Sequence, residues 1–238
     1  MKQIAQNYRS GELALVDVPA PACRPGGVVV RSEYSLVSTG TEMMKIHESR
    51  LSLVGKARAR PDQVKKVLQT VAQQGPVATY RKVMDRLDSY TPLGYSLAGT
   101  IVEVGPGAES FAVGQRVACA GNQFALHAEY NWVPVNLCVP VPDGVETRHA
   151  AFAAVASIAL HAMRQAEAKL GEVACVIGLG LVGQILVQIL NAAGVKVIGL
   201  DLDQQRCDLA QASGAVACGP PHEPGLSALR AAAARLTG

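Results

Sequence analysis

The sequence predicts two architectures in series: a β-rich part over residues 1–148 and a parallel α/β part over residues 149–238. Three observations predict it. Short apolar runs broken by glycine and proline extend to Val141. After Gly171 the pattern changes to strand, helix, strand, helix. The first strand of that series runs directly into Gly178-Leu179-Gly180-Leu181-Val182-Gly183.

In the first part, residues 1 to about 45 read as short strands, and VVVRSEYSLV alternates after the turn Pro25-Gly26-Gly27. A helical insert occupies about 48–90. Within it Val64, Val67, Leu68 and Val71 repeat at helical spacing, and Gly75-Pro76 ends that helix. Val77, Tyr80, Val83, Met84 and Leu87 form the apolar face of a second helix. Strands return from Thr91 to Val141, and Pro142-Asp143-Gly144 is a turn. The stretch 149–168 predicts one helix, buried where it reads AAFAAVASIAL.

In the second part, VACVI reads as a buried strand, with Cys175 an inert core thiol. Val182 to Ala193 is a helix capped by Gly194. KVIGL is the next strand, Gln204 to Ser213 a helix capped by Gly214, AVAC a third strand, and Leu226 to Leu236 a third helix. Gln184, Gln188 and Asn191 lie on one face of the first helix, which makes it an amphipathic helix resting on a sheet. A membrane span would need about 20 apolar residues, and no segment supplies them.

Composition narrows the function classes. Hydrophobic residues are 49% of the 238, enough for a packed core. A net charge of +3 and 4% aromatics argue against nucleic acid as the partner. The six cysteines form no Cys-x-x-Cys pair, so no zinc ribbon or redox motif is written. The opening MKQIAQNYRS has no apolar signal core, which leads to the expectation of a cytoplasmic protein with reduced thiols.

The glycine motif points to a dinucleotide. It follows a strand, opens a helix, and has Asp201 at the end of the next strand. Gly178 would make the tight turn, Gly180 would let a pyrophosphate approach the backbone, and Gly183 would let helix and strand pack closely. The helix start, with Leu181 and Val182, would offer free N–H groups to the phosphates. Asp201 would accept both ribose hydroxyls of NAD and repel the extra phosphate of NADP. Strands, helices and motif together predict a partial Rossmann domain.

At these residues the chain resembles the medium-chain dehydrogenase/reductase superfamily. VIGLGLVGQILVQILNAAGVKVIGLDLDQQRCDLAQASGA is similar to its nucleotide-binding core, and VPDGVETRHAAFAAVASIALHAMR to its inter-domain helix region. PLGYSLAGTIVEVGPGAESFAVGQRVA stands where the family has a motif beginning Gly-His-Glu. The resemblance implies that the first part is a GroES-like catalytic domain and that Arg206 contacts the adenosine ribose. The helical segment after VSTGTE narrows the likeness to bacterial two-part oxidoreductases fused to a Gfo/Idh/MocA-type domain.

Two departures shape the expected chemistry. Zinc-dependent members supply their catalytic metal from Cys-Gly-Thr-Asp and Gly-His-Glu. Here those segments read Thr39-Gly40-Thr41-Glu42 and Gly94-Tyr95-Ser96. Neutral hydroxyls are poor zinc ligands beside thiolate and imidazole, and the four-cysteine structural loop is missing, so no metal is expected. Catalysis would then fall to hydrogen-bond donors. Thr41 stands at the family's proton-relaying hydroxyl, Tyr95 at the lost histidine, and Lys45 is the nearest cation. His127 reads as a packing histidine. Ten of the 22 Lys and Arg residues lie between Lys45 and Arg86. This basic insert is either a solvated helix face or a lid favouring an anionic, sugar-derived substrate.

A dinucleotide fold has two βαβαβ halves, and only the first is legible here. The chain therefore reads as a fragment, a truncated product, or one completed by a partner chain or by homo-oligomerisation. The leading expectation is a zinc-independent, NAD(H)-linked oxidoreductase acting on a carbonyl or secondary alcohol of a small molecule. The alternatives are a catalytically incomplete remnant that binds the adenosine half of NAD, and a non-enzymatic binding protein.

Overall fold

The computed structural model describes residues 1–7, 10–43, 69, 71, 73, 75–79, 84 and 89–237. The chain divides into two compact units, Met1–Ala153 and Ala154–Gly238. Residues 69, 71, 73, 76–79 and 84 are helical, Gly75 and residues 89–90 are described but not helical, and the other insert residues and Lys45 lie outside the described residues.

The first unit is built on two antiparallel sheets. Strands β1 (Lys2–Asn7), β2 (Leu13–Asp17) and β4 (Tyr90–Pro92) form a small sheet in the order β2-β1-β4. Strands β3 (Gly27–Ser35), β5 (Ser96–Val104), β6 (Arg116–Ala120), β7 (Tyr130–Pro134) and β8 (Cys138–Pro140) form a larger one, ordered β7-β3-β5-β6-β8. A single bridge between Gln3 and Ala128 joins β1 to the approach of β7. Val28, Val30, Leu97, Ile101, Val117 and Val133 are fully buried between the faces of the larger sheet and its loops. Each such side chain contributes about 1.5–3 kcal/mol on burial.

β3 does not alternate as its sequence suggested. Gly27–Val30 are all buried, and Arg31–Ser35 are mostly exposed. β5 pairs with β3 along most of its length, whereas β7 pairs only with Gly27–Arg31, which includes the buried half. The strand pattern expected to about residue 45 also stops early, because residues 39–43 are helical.

The helix expected over 149–168 is two helices, α1 (Thr147–Ala150) and α2 (Ala153–Gln165), separated by a turn at Ala151-Phe152. Nor is AAFAAVASIAL uniformly buried. Ala154, Val155 and Ala159 are buried, whereas Ile158 is 50% exposed. Within its own unit, α2 covers only the stripe that Val155 and Ala159 share at i, i+4.

The second unit is a three-stranded parallel sheet with helices. It comprises β9 (Val173–Ile177), α3 (Leu181–Ala192), β10 (Lys196–Leu200), α4 (Gln204–Ala212), β11 (Ala217–Gly219) and α5 (Gly225–Thr237), with strand order β11-β10-β9. Leu179, Val187, Val195, Val197, Cys207 and Ala210 pack between sheet and helices. β9 is not the buried strand that VACVI suggested. It is the outer strand of this sheet; Val176 is buried, but Ile177 is 83% exposed and Cys175 is exposed rather than an inert core thiol. An apolar run reads alike whether or not a neighbour covers it. No helix among the described residues is long and apolar enough to cross a membrane.

Candidate functional site

The glycine turn lies between β9 and α3. Gly178 has φ +89°, a region that favours glycine, and its N–H donates to the Leu200 carbonyl at 2.8 Å, which ties the turn to the end of β10. Gly180 begins α3 from extended backbone, and a Cβ built on it would meet nothing within 4 Å. A Cβ on Gly183 would run into the Gly178 carbonyl oxygen. Gly180 thus borders open space, and Gly183 holds helix against turn. No side chain caps the N-terminus of α3, so the first N–H groups, about Leu181 and Val182, stay unclaimed by side chains.

Asp201 is braced against this turn. The Leu179 N–H donates to its Oδ2 at 2.7 Å and the Asp203 N–H to its Oδ1 at 3.0 Å. The Asp203 N–H first, then that of Leu179 and the nearby Arg206 guanidinium, hold the Asp201 carboxyl below the usual carboxylate range. Arg206 lies 3.7 Å from Asp201 and 3.5 Å from Asp203 while remaining half exposed. Asp203 also caps α4 by accepting from the Gln205 N–H at 2.9 Å. Each Asp201 oxygen keeps a further lone pair beyond this brace.

Gln184 shares one face of α3 with Gln188 and Asn191. It is buried, and its amide donates to the Leu179 carbonyl at 3.1 Å and the Arg206 carbonyl at 2.8 Å. It therefore pins the turn to the residue that flanks Asp201. Its Oε1 has no partner among the described residues. The signal was present: Gln184 sits three residues before Val187, on the stripe that faces the core.

In the first unit, Thr39 and Thr41 lie on the helical turn 39–43. Thr41 Oγ1 accepts from the buried Ser38 hydroxyl at 3.4 Å. Tyr95 is half-buried between β4 and β5, and its carbonyl accepts from the Gly121 N–H at 2.9 Å. No hydrogen bond joins Thr41 to Tyr95 among the described residues, and Lys45 falls outside them. Ser96 is 1% exposed and donates to the Ala151 carbonyl at 2.6 Å, a structural bond.

Glu42 is buried and lies 2.9 Å from Nε2 of His127, whose Nδ1 lies 2.8 Å from the Ser35 hydroxyl. The His127 backbone is held as firmly. Its N–H donates to Leu93 and its carbonyl accepts from Ile4, both at 2.8 Å. Gly94, at φ +105°, admits this backbone, since a Cβ there would stand 2.6 Å from the His127 nitrogen. Glu42 and His127 are 85 residues apart, and nothing in the local sequence couples them. The expectation of a satisfied packing histidine agrees with this arrangement.

Residues 61–143 match the alcohol dehydrogenase GroES-like domain. Over 237 residues the chain is 24% identical to (R,R)-butanediol dehydrogenase of Neisseria gonorrhoeae, covering 88% of this chain and 60% of that protein. It is 33% identical over 127 residues to D-guloside 3-dehydrogenase of Escherichia coli, covering 53% of this chain and 36% of the other. Among solved structures, Escherichia coli quinone oxidoreductase complexed with NADPH superposes with a TM-score of 0.70 at 18% identity, covering 95% of this chain and 60% of that one. The chain thus spans less than two thirds of the length of each. The GroES-like match and the dehydrogenase relatives support a place for the chain in the medium-chain dehydrogenase/reductase superfamily, and the solved structure shares its fold.

Proposed function

We propose that the chain is the cofactor-binding and substrate-binding portion of a zinc-independent, NAD(H)-linked oxidoreductase. Its substrate would be a carbonyl or secondary alcohol on a small, sugar-derived or anionic molecule. The observation that carries this reading is the Asp201 carboxylate, hydrogen-bonded to the Leu179 N–H inside the glycine turn. It puts a negative charge and free acceptor lone pairs beside a helix N-terminus bordering open space, the pairing that suits adenosine ribose and pyrophosphate.

Gly178, Gly180 and Gly183 would shape the turn, the N–H groups of Leu181 and Val182 would face the phosphates, and Asp201 would accept the ribose hydroxyls with Arg206 alongside. A bound nicotinamide supplies or accepts hydride. Hydroxyl donation to the substrate oxygen would come from Thr41 and Tyr95, with Lys45 as the nearby cation. Zinc independence is supported by donor chemistry. Thr39 and Tyr95 are neutral hydroxyl donors, Ser96 is bonded to Ala151, and Glu42 is bonded to His127. The names of two relatives, a butanediol and a guloside dehydrogenase, support an alcohol as substrate. Six free thiols support a cytoplasmic setting.

Titration calorimetry with each dinucleotide tests the cofactor assignment. NAD binds more tightly than NADP, and Asp201→Ala narrows the difference. Equal or tighter binding of NADP by the unaltered chain would overturn the reading.

A further inference from the structure

Cys119 on β6 and Cys138 on β8 are register partners across the antiparallel pair, and their Sγ atoms lie 3.7 Å apart. Both are free thiols, 2% and 6% exposed. Directly opposed residues in such a ladder have Cα atoms about 4.5 or 5.5 Å apart. A disulfide spans about 4.4–6.8 Å between Cα atoms, so the backbone already stands where the bond needs it. We propose that Cys119 and Cys138 form a site of reversible thiol–disulfide modification, closed by a small-molecule disulfide such as oxidised glutathione.

Access comes through the edge of the sheet. β8 has three residues and is the outermost strand, preceded by a 3₁₀ turn over Val135–Leu137 and closed by Pro140, with Pro142 just beyond. Proline cannot donate to a ladder, so little holds β8 beyond its pairing with β6. Such a strand opens locally at far less cost than global unfolding, and Cys138 is then presented first. Cys119 stays inside, on a strand paired on its other side to β5, opposite Leu97.

The acidities favour the same order. The contact with Cys119 holds the Cys138 thiol below its usual range, while that contact and then burial push the Cys119 thiol up.

The Cys138 thiolate attacks one sulfur of the glutathione disulfide. The S–S bond breaks, a mixed disulfide forms at Cys138, and one glutathione thiolate leaves. Cys119, deprotonated, attacks Sγ of Cys138. The mixed bond breaks and the second glutathione thiolate leaves. Two protein thiols lose two electrons and two protons, and one glutathione disulfide becomes two thiols. The product anchors β8 to β6, which is followed directly by Gly121, whose N–H donates to the Tyr95 carbonyl. Formation of the bond does not depend on the function proposed above.

The test incubates the full chain, folded, with oxidised glutathione, then blocks free thiols and maps peptides by mass spectrometry. The expected product is a Cys119–Cys138 crosslink with loss of two hydrogens. It raises the melting temperature by about 5–10 °C, and dithiothreitol reverses it. Cys119→Ser stops at a glutathione adduct on Cys138, and Cys138→Ser gives no adduct on Cys119; a purely structural pair would not show this asymmetry. Exposed Cys175, on β9, serves as the internal control for reagent activity. Modification of Cys175 while Cys119 and Cys138 stay free, or a crosslink from either to another cysteine, would overturn the proposal.

Discussion

Nε2 of His127 stands 2.9 Å from Oε1 of Glu42, with both residues buried. Glu42 comes from the helical turn 39–43 and His127 from the segment that leads into β7, while Ser35, at the end of β3, meets the other ring nitrogen. One imidazole therefore fastens the turn that carries Thr39 and Thr41 onto the sheet.

Removing one partner should be worse than removing both. His127→Ala leaves a buried Glu42 oxygen without its hydrogen-bond partner, which should destabilise the first unit by roughly 1–3 kcal/mol. Changing both residues to leucine leaves no unpartnered polar group and should recover part of that loss. Urea unfolding of the single and double variants measures the difference. A single-variant loss under about 1 kcal/mol, or a double variant no better than the single, would show that the network does not anchor the turn.

Gly180 and Gly183 should separate binding from folding. A Cβ at Gly180 meets open space, so Gly180→Ala should stay within about 0.5 kcal/mol of the unaltered chain while weakening dinucleotide binding. A Cβ at Gly183 meets the Gly178 carbonyl, so Gly183→Ala should cost about 1–3 kcal/mol. Thermal unfolding and titration with NAD, run on both variants, check the contrast. Equal stability losses at the two positions would contradict it.

Asp201 should contribute stability above its unfolded pKa and lose it in acid. Its folded pKa is depressed, so the unfolded carboxyl binds a proton first as pH falls. The stabilisation is complete above the usual carboxylate range, about pH 4, and disappears as pH drops through the folded value. Asp201→Asn should accordingly be less stable than the unaltered chain at pH 7, with the gap closing below about pH 4. Chemical unfolding across that range reads the gap directly; a constant gap would show that the carboxylate charge is not responsible.

The sequence by itself determined the order of architectures, the parallel βαβαβ pattern and the glycine turn with Asp201. Those features repeat at short range: alternation, helical spacing, and glycines whose backbone demands are local. It also marked Thr39 and Tyr95 as departures from zinc ligation, because that comparison needs only residue types. Only the tertiary structure decided which apolar strands are covered. VACVI and KVIGL read alike, yet Val197 and Ile198 of the central strand β10 are buried while Cys175 and Ile177 of the edge strand β9 are exposed. It likewise decided the partners of Glu42, Gln184 and Cys119. Glu42 and His127 are separated by 85 residues, Cys119 and Cys138 by 19, and Gln184 reaches two carbonyls at once. Pairings of this kind follow from how strands are ordered in a sheet and how a helix is rotated against it, and the hydrophobic pattern of a single segment carries neither.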